Sequence, residues 1–383
     1  MGKERRSKFR PKEMAIVLSH YDLGAIHEIH SFRRGNIRSP KSVIIAETGK
    51  YLLKRRAPGH DDPYLVALAH DLQLYLVSKG FRLARLIGAR PSNASMLGIY
   101  SSIYELFAFV EGGSYADTLA DKSSALASTN SAGACLRWFH DLVTDYEPAY
   151  QVPSRPYHDS SGVRDNIQKM IGVMAKDYEA ENSRDEIELL SCGLLAAYNT
   201  MAEQVHNNGF AHEKVIICHG DWHPGNMIFR DAEVAAVCDF DSAHYMAALG
   251  DVANGCLQFS LVAQGSDPDN WPAHLDVDRA RSFLAGYALG RGISDRCSET
   301  EEMGQGAHNT GQSQTQSYRS HWPRKRVELL IGLMIEALIA EAVRPIAVTG
   351  RFAHTGGFRF LQMVKRKVDW LKEQAVTALV EPD

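Results

Sequence analysis

His219-Gly-Asp-Trp-His-Pro-Gly-Asn-Met-Ile-Phe229 is the most informative stretch of this 383-residue chain, and Val237-Cys-Asp-Phe-Asp-Ser-Ala243 follows it closely. Asp221 precedes Asn226 by five residues, and Asp239 follows Asn226 by thirteen. A carboxylate can orient and deprotonate an attacking hydroxyl group, and amide and carboxylate oxygens are ligands that Mg²⁺ prefers. The spacing therefore predicts phosphoryl transfer from a nucleotide, with one residue acting as base and two holding the metal.

The same residues resemble the signatures of the aminoglycoside phosphotransferase and choline kinase superfamily, which are H-G-D-x-H-x-x-N and D-[FW]-[DE]. The resemblance extends from about residue 25 to about residue 260. It implies an α+β, protein-kinase-like two-lobed fold, with a small antiparallel-sheet N-lobe and a larger, mostly helical C-lobe. The domains expected on this basis are an N-terminal extension with a short helix (1–24), the N-lobe (25–109) and the C-lobe (110–383), with a polar insertion at 293–322.

The resemblance also implies a role for each residue of the motif. Asp221 would be the catalytic base, His219 would support the backbone of the catalytic loop, and His223 would brace that loop or approach the phosphate. The Mg²⁺ ligands are expected among three oxygen-bearing side chains, Asn226, Asp239 and Asp241, the last assisting either the metal or the substrate. The acceptor would be the hydroxyl group of a small molecule, and the cofactors would be ATP or GTP with Mg²⁺.

Nucleotide contacts are expected upstream of the motif. Lys54 occupies the strand position of the lysine that contacts the phosphates, and the loop containing Arg34 and Gly35 lies where a kinase places its phosphate-covering loop. That loop has one glycine where the kinase pattern has three. The extended stretch around Glu105 and Phe107 resembles the hinge whose backbone groups would bind the adenine ring.

The ion-pair partner of Lys54 departs from the kinase pattern. That partner is a Glu on the helix after the lysine strand, and here its position falls near Ala69, beside His70 and Asp71. No Glu is available there. Either Asp71 takes its place, or the lysine is positioned differently.

Hydrophobic periodicity and turn residues predict the remaining elements. Helices are predicted at 13–22, 65–79, 131–146, 185–207, 324–343, 358–378, and from Gly250 to about Val262 with Asp251 as its N-cap. His140 is expected to be a packed helix residue. Strands are predicted at 25–32, 42–47, 51–55, 82–88, 100–108, 215–218 and 234–239.

Composition restricts the class of protein. The formal net charge is −4, which gives no electrostatic case for binding nucleic acid or an anionic membrane. Basic residues near the N-terminus are not followed by the apolar run of a signal peptide, and the six cysteines show no CxxC pair. We therefore expect a cytoplasmic protein with reduced thiols and no membrane partner. The oligomeric state is left open.

Two alternatives remain at this stage. On a strand, His219, Asp221 and His223 would face one side as the ligands of a metal-dependent phosphohydrolase. This alternative leaves Asn226 and Asp239 without a function. A catalytically inactive, nucleotide-binding pseudokinase is the second alternative, suggested by the missing Glu.

Overall fold

A computed structural model describes residues 7–154, 156–177, 184–290 and 322–380. The chain divides into two units. The first contains Met1–Asp117, Asp145–Val152 and Gly225–Ala243, and the second contains Thr118–Thr144, Pro153–Pro224 and His244–Asp383. This division differs from the boundary predicted at residue 109, because the stretch that carries Asn226 and Asp239 belongs to the first unit.

A five-stranded antiparallel sheet forms the centre of the first unit. Its strands have the order β1-β2-β3-β5-β4 and are β1 (Ile26–Phe32), β2 (Lys41–Ala46), β3 (Gly49–Arg55), β4 (Leu97–Ile99) and β5 (Ser102–Ala108). The strand predicted at 82–88 is wrong, because only isolated bridges at Leu83 and Leu86 form there. Most apolar side chains of β2 and β5 are buried, whereas β1 is a solvent-exposed edge strand.

Two helices accompany this sheet, α1 (Pro11–Leu18) and α2 (Pro63–Ser78). Asp62 caps α2 by accepting hydrogen bonds from the backbone amides of Tyr64 and Leu65, and Pro63 occupies the first turn, where its missing N–H costs nothing. The apolar core includes residues from α1 and three strands: Val17, Leu18, Ile44, Leu53 and Leu106. Both helices were predicted, each beginning two residues later than observed.

A short hairpin completes the first unit. It consists of β7 (Met227–Arg230) and β8 (Glu233–Val237), which follow β6 (Val215–Cys218) of the second unit. Hydrogen bonds between Gly113 and Phe229 tie the hairpin to the first unit. The amide of Cys238 donates to the carbonyl of Asn226 at 2.8 Å. The hairpin thus brings together the segments before and after it, which carry Asn226 and Asp239.

Helices dominate the second unit. They are α4 (Lys122–Val143), α5 (Ser161–Asp177), α6 (Arg184–Asn207), α7 (Ala248–Ser260), α8 (Val277–Leu289), α9 (Arg324–Thr349), α10 (Gly357–Glu373) and α11 (Ala375–Val380), with α3 (Tyr115–Thr118) preceding them. The sequence analysis missed α5 and α8. The buried positions of α5 are Val163, Ile167, Met170 and Met174, so its helical spacing was present but overlooked.

Smaller elements connect these helices. β6 (Val215–Cys218) pairs with β9 (His244–Ala247), and β10 (Arg351–Phe352) pairs with β11 (Thr355–Gly356). Single 3₁₀ turns lie at Phe210–His212, Pro224–Asn226, Phe240–Ser242 and Pro268–Asn270. The predicted insertion at 293–322 lies outside the described residues except for Trp322. No helix in the described ranges is long and apolar enough to cross a membrane.

Helices α4 and α8 pack so closely that each needs a glycine. A Cβ on Gly133 would lie 2.0 Å from the carbonyl oxygen of Phe283, and a Cβ on Gly286 would lie 2.0 Å from the carbonyl oxygen of Asn130. These neighbours are backbone atoms, which cannot rotate away as a side chain can. The contact between the two helices therefore depends on the absence of both Cβ atoms.

We expect Gly286→Ala to lower the free energy of unfolding by at least about 2 kcal/mol, because the added methyl group forces the two helices apart. Gly172→Ala in α5 is the matched control, since nothing lies within 4 Å of its Cβ position. That change should stabilise the protein by about 0.5–1 kcal/mol through the lower entropy of the unfolded chain. Urea unfolding of both variants measures the difference, and equal effects would contradict the packing argument.

Candidate functional site

The residues predicted from the sequence divide between the two units. His219, Asp221 and His223 lie in the second unit, directly after β6. The first unit holds the others: Arg34, Gly35, Lys54, Glu105, Phe107, Asn226, Asp239 and Asp241. Each group has its own supporting contacts.

Asp251 fixes the loop that carries Asp221. Its carboxylate accepts hydrogen bonds from the backbone amides of His219 at 2.7 Å and Gly220 at 3.0 Å, and it is fully buried. The prediction that Asp251 caps α7 is wrong, because α7 begins at Ala248 and Asp251 lies inside its first turn. The side chain reaches back to the loop, so it sets the backbone geometry on which the Asp221 side chain stands.

A buried histidine supports Asp251 in turn. Burial alone would raise the pKa of Asp251, but the hydrogen bond with His140 and the amide of His219 lower it overall. His140 also contacts the hydroxyl of Tyr287 at 2.9 Å, so it is the packed helix residue that the sequence analysis expected. Cys218 lies beside this pair, but burial raises its thiol pKa well above the ordinary value. A neutral thiol is a poor metal ligand, and we assign no metal to this cluster.

The three motif residues after β6 do not share one environment. His219 is fully buried and packs against Phe139 and Trp222, with ring centroids 6.3 Å and 5.4 Å away. Asp221 and His223 are partly exposed, and His223 Nε2 lies 3.5 Å from Asp221 Oδ2. A strand geometry that would point all three to one side is absent, since β6 ends at Cys218. This separation argues against the three-ligand hydrolase site.

Lys54 finds its partner on a strand. Lys54 and Glu105 are directly opposite on β3 and β5, and Lys54 Nζ lies 3.5 Å from Glu105 Oε2. Asp71 does not take part, because it accepts hydrogen bonds from the Tyr146 hydroxyl and the Ala149 amide. Of the two alternatives left open for Lys54, the structure therefore favours the second, in which the lysine is positioned differently and Asp71 does not replace the Glu.

Arg56, which was not predicted from the sequence, contacts the carboxylates of Glu105 and Asp241 more closely than Lys54 does. Its guanidinium donates to both oxygens of Asp241 at 2.8 Å and 2.7 Å, and to Glu105 Oε1 at 2.6 Å. His70 of α2 contacts the same Glu105 oxygen at 2.7 Å. Burial would raise the pKa of Glu105, but Lys54, His70 and Arg56 hold it well below the ordinary value. The carboxylate is therefore ionised inside the protein.

The hinge prediction needs correction at two residues. Glu105 and Phe107 lie within the β5 ladder, opposite Lys54 and Leu52 of β3. The Leu106 carbonyl between them accepts from the amide of Ile87. The main chain at these two residues is therefore engaged in the sheet. Glu105 takes part in the site through its side chain.

Asp239 and Asn226 present oxygen ligands at the end of the hairpin. Asp239 has φ +64°, a left-handed conformation that is uncommon for residues other than glycine and is often found at functional sites. Its carboxylate is open to solvent on one side, yet burial by surrounding atoms raises its pKa, and the charge of Asp241 adds to this shift. Lys54, with Nζ 4.0 Å from Asp239 Oδ1, opposes this shift. Asp241 differs, because both of its oxygens already bind Arg56.

The β1–β2 loop reaches the site through a second lysine that the sequence analysis missed. Lys41 Nζ lies 3.4 Å from the carbonyl oxygen of Arg34. Gly35 has φ +76°, and a Cβ there would lie 2.6 Å from Lys41 Nζ. The positive charge of Lys41 lowers the pKa of Asp239, which places the lysine on the same side of the unit as that carboxylate.

Glu341 of α9 is a further acidic group beside Asp221 that sequence reasoning missed. It accepts a hydrogen bond from Gln258 at 2.5 Å. The carboxyl group remains open to solvent but is surrounded by protein atoms, and this burial together with the charge of Asp221 raises its pKa to about 7. His223 opposes the shift. The one feature of the sequence that pointed to Glu341 is its position in a largely apolar helix.

The sequence was compared with protein-family profiles and with curated proteins. The sequence profile described as "Phosphotransferase enzyme family" matches residues 29–293. No curated protein sequence matches the chain. The profile match covers well over half of the protein and includes every predicted site residue.

Solved structures share the fold at low sequence identity. A microcompartment-associated aminopropanol kinase has a TM-score of 0.63 at 10% identity, covering 97% of this chain and 99% of that one. An aminoglycoside phosphotransferase from Alicyclobacillus acidocaldarius has a TM-score of 0.60 at 15% sequence identity, and the match covers 98% of each chain. The amicoumacin kinase hAmiN, solved with AMP-PNP, Ca²⁺ and Ami, has a TM-score of 0.58 at 12% sequence identity. The match covers 96% of this chain and 95% of that one. The protein-kinase-like α+β fold class is thereby confirmed.

We expect Glu105→Gln to lower the free energy of unfolding by about 3–5 kcal/mol at pH 7, because it leaves buried cations without their anion. Glu111→Gln is the control, since its ion pair with Lys50 is exposed and should contribute less than about 1 kcal/mol. The Glu105 pKa is lowered in the folded protein, so its contribution is present above the ordinary value of 4.5 and is lost as the pH falls below it. Urea unfolding at pH 7 and pH 3 tests both statements, and an unchanged difference at pH 3 would contradict them.

Glu341 should show the opposite dependence on pH. Its folded pKa of about 7 lies above the ordinary 4.5, so the folded protein binds the extra proton and stability falls as the pH rises between these values. Glu341→Gln should therefore unfold at a higher temperature than the unsubstituted protein at pH 8, and at the same temperature at pH 4. Glu328→Gln on the same helix, which removes a pair with Arg324, serves as the control and should show no such gain.

Proposed function

Because the chain belongs to the phosphotransferase enzyme family, we propose that it transfers the γ-phosphoryl group of ATP or GTP to a hydroxyl group of a small molecule. One observation carries this proposal. The loop with Asp221 is held by a buried carboxylate, which leaves the Asp221 side chain accessible next to His223. An accessible carboxylate on a rigid loop is what a general base needs.

Asn226 and Asp239 are the residues that would hold Mg²⁺. They offer an amide and a carboxylate oxygen, which suit a hard cation, and the hairpin between them brings the two residues together. When bound, the metal would neutralise charge on the nucleotide phosphates. We leave Asp241 out of the ligand set, since Arg56 binds both its oxygens. The divalent Ca²⁺ and nucleotide analogue of hAmiN support the same cofactor class.

The remaining residues orient the reactants. Asp221 would accept the proton of the acceptor hydroxyl, and Lys54 would bind the phosphates. His219 acts indirectly, because its buried ring and the hydrogen bond that its backbone amide donates to Asp251 hold the loop in place. Glu341 would lie on the acceptor side, beside Asp221. The pseudokinase alternative is disfavoured, because Glu105 supplies the carboxylate whose absence suggested it.

The acceptor can be found by measuring nucleotide consumption over hydroxylated metabolites and aminoglycosides. With that acceptor, Asp221→Ala should lower kcat by about 10²–10⁴-fold, because a base acts only in the transition state. The dissociation constant for Mg·ATP should stay within about threefold. Asp165→Ala, an exposed position of α5, is the control with the same loss of charge. Full activity in Asp221→Asn would show that this residue is not the base, and acceptor-independent phosphoester cleavage would favour the hydrolase.

A further inference from the structure

Three charged side chains lie side by side across the sheet of the first unit. In the registers of the antiparallel strands, Lys41 on β2 is opposite Lys54 on β3, and Lys54 is opposite Glu105 on β5. Directly opposite residues project from the same face of a sheet. Two like charges in this arrangement destabilise the strand pair, so the pair of lysines needs a reason.

Charge balance with the buried carboxylates accounts for only part of the position of Lys54. Arg56 binds Glu105 and Asp241 at 2.6–2.8 Å, whereas Lys54 Nζ lies 3.5 Å from Glu105 and 3.6 Å from Asp241. Ammonium-carboxylate hydrogen bonds normally measure about 2.7–2.9 Å. Arg56 and His70 therefore provide the close contacts, and the lysine remains at a looser distance on the same face.

Lys41 is placed beside the expected phosphate position. Its ammonium lies 3.4 Å from the carbonyl oxygen of Arg34 in the β1–β2 loop, and 2.6 Å from the position that a Cβ on Gly35 would take. Lys54 Nζ lies 4.0 Å from Asp239 Oδ1, the carboxylate that we assign to the metal. Lys41 lies beside Lys54 on the same face of the sheet, at the loop expected to cover the phosphates. An anion with several negative oxygens would offer an opposite charge to both ammonium groups.

We propose that Lys41 and Lys54 form a two-lysine clamp for the nucleotide phosphates, in which Lys41 replaces the backbone amides of a loop with three glycines. This clamp rests on the proposed function, and it assigns to Lys41 a direct contact with the terminal phosphates. Arg56 is a positioning residue, because it occupies the carboxylates that would otherwise draw Lys54 away.

Direct binding measurements on the full chain test the clamp. Titrations with Mg·ATP, Mg·ADP and AMP are compared for the unsubstituted protein, Lys41→Met, Lys41→Arg and Lys12→Met. Lys12 lies exposed on α1 and controls for the loss of one positive charge. We expect Lys41→Met to weaken ATP binding about 10–100-fold, as for one charge-assisted hydrogen bond. ADP should be affected less and AMP hardly at all, while Lys41→Arg and Lys12→Met stay within about threefold of the unsubstituted protein.

Thermal unfolding separates binding from a structural effect. Without nucleotide, Lys41→Met should unfold within about 2 °C of the unsubstituted protein, whereas the rise in unfolding temperature caused by Mg·ATP should shrink. Equal ATP affinity in Lys41→Met and the unsubstituted protein would overturn the clamp and leave the proposed function intact. Equal weakening of ATP and AMP would also overturn it. If the unsubstituted protein bound neither Mg·ATP nor Mg·GTP, the proposed function would fail, and the clamp with it.

Discussion

The buried carboxylate of Glu105 is the constraint on which the nucleotide side of the protein depends. An ionised group without water needs close partners of opposite charge, and Glu105 has them on α2 and at the end of β3. These partners link the helix to the sheet and, through Asp241, to the segment that follows the hairpin. One unsolvated charge thus fixes the relative positions of three separate parts of the first unit.

The second unit uses the same physical device. Asp251 is buried and ionised, and it binds two backbone amides of the loop before Asp221. A backbone amide cannot change rotamer, so the loop geometry is set more firmly than a side-chain pair would allow. In both units the residue proposed to touch the substrate or nucleotide is partly accessible, and the residue that orients it is buried. Rigidity and access are therefore assigned to different side chains.

The residues of the motif could be predicted from the sequence, but the buried residues that hold them in position could not. Asp221, Asn226 and Asp239 lie within one short stretch, so their spacing could be read directly. Glu105 meets Arg56 across 49 positions, and Asp251 meets His219 across 32, so no local pattern indicates either contact. A glutamate inside a strand has the same alternation whether it is buried or exposed. Most helices were predicted from their periodicity, whereas α5 was missed although its buried apolar positions have helical spacing.

The position of the lysine's partner on β5 instead of α2 limits which single substitutions the site tolerates. Glu105, His70 and Arg56 form one electrostatic unit, so the effect of changing any one depends on the other two. A glutamate introduced at position 70 would remove the His70 contact and place a second carboxylate beside Glu105. A carboxylate on α2 would therefore need a compensating change at Glu105 or Arg56.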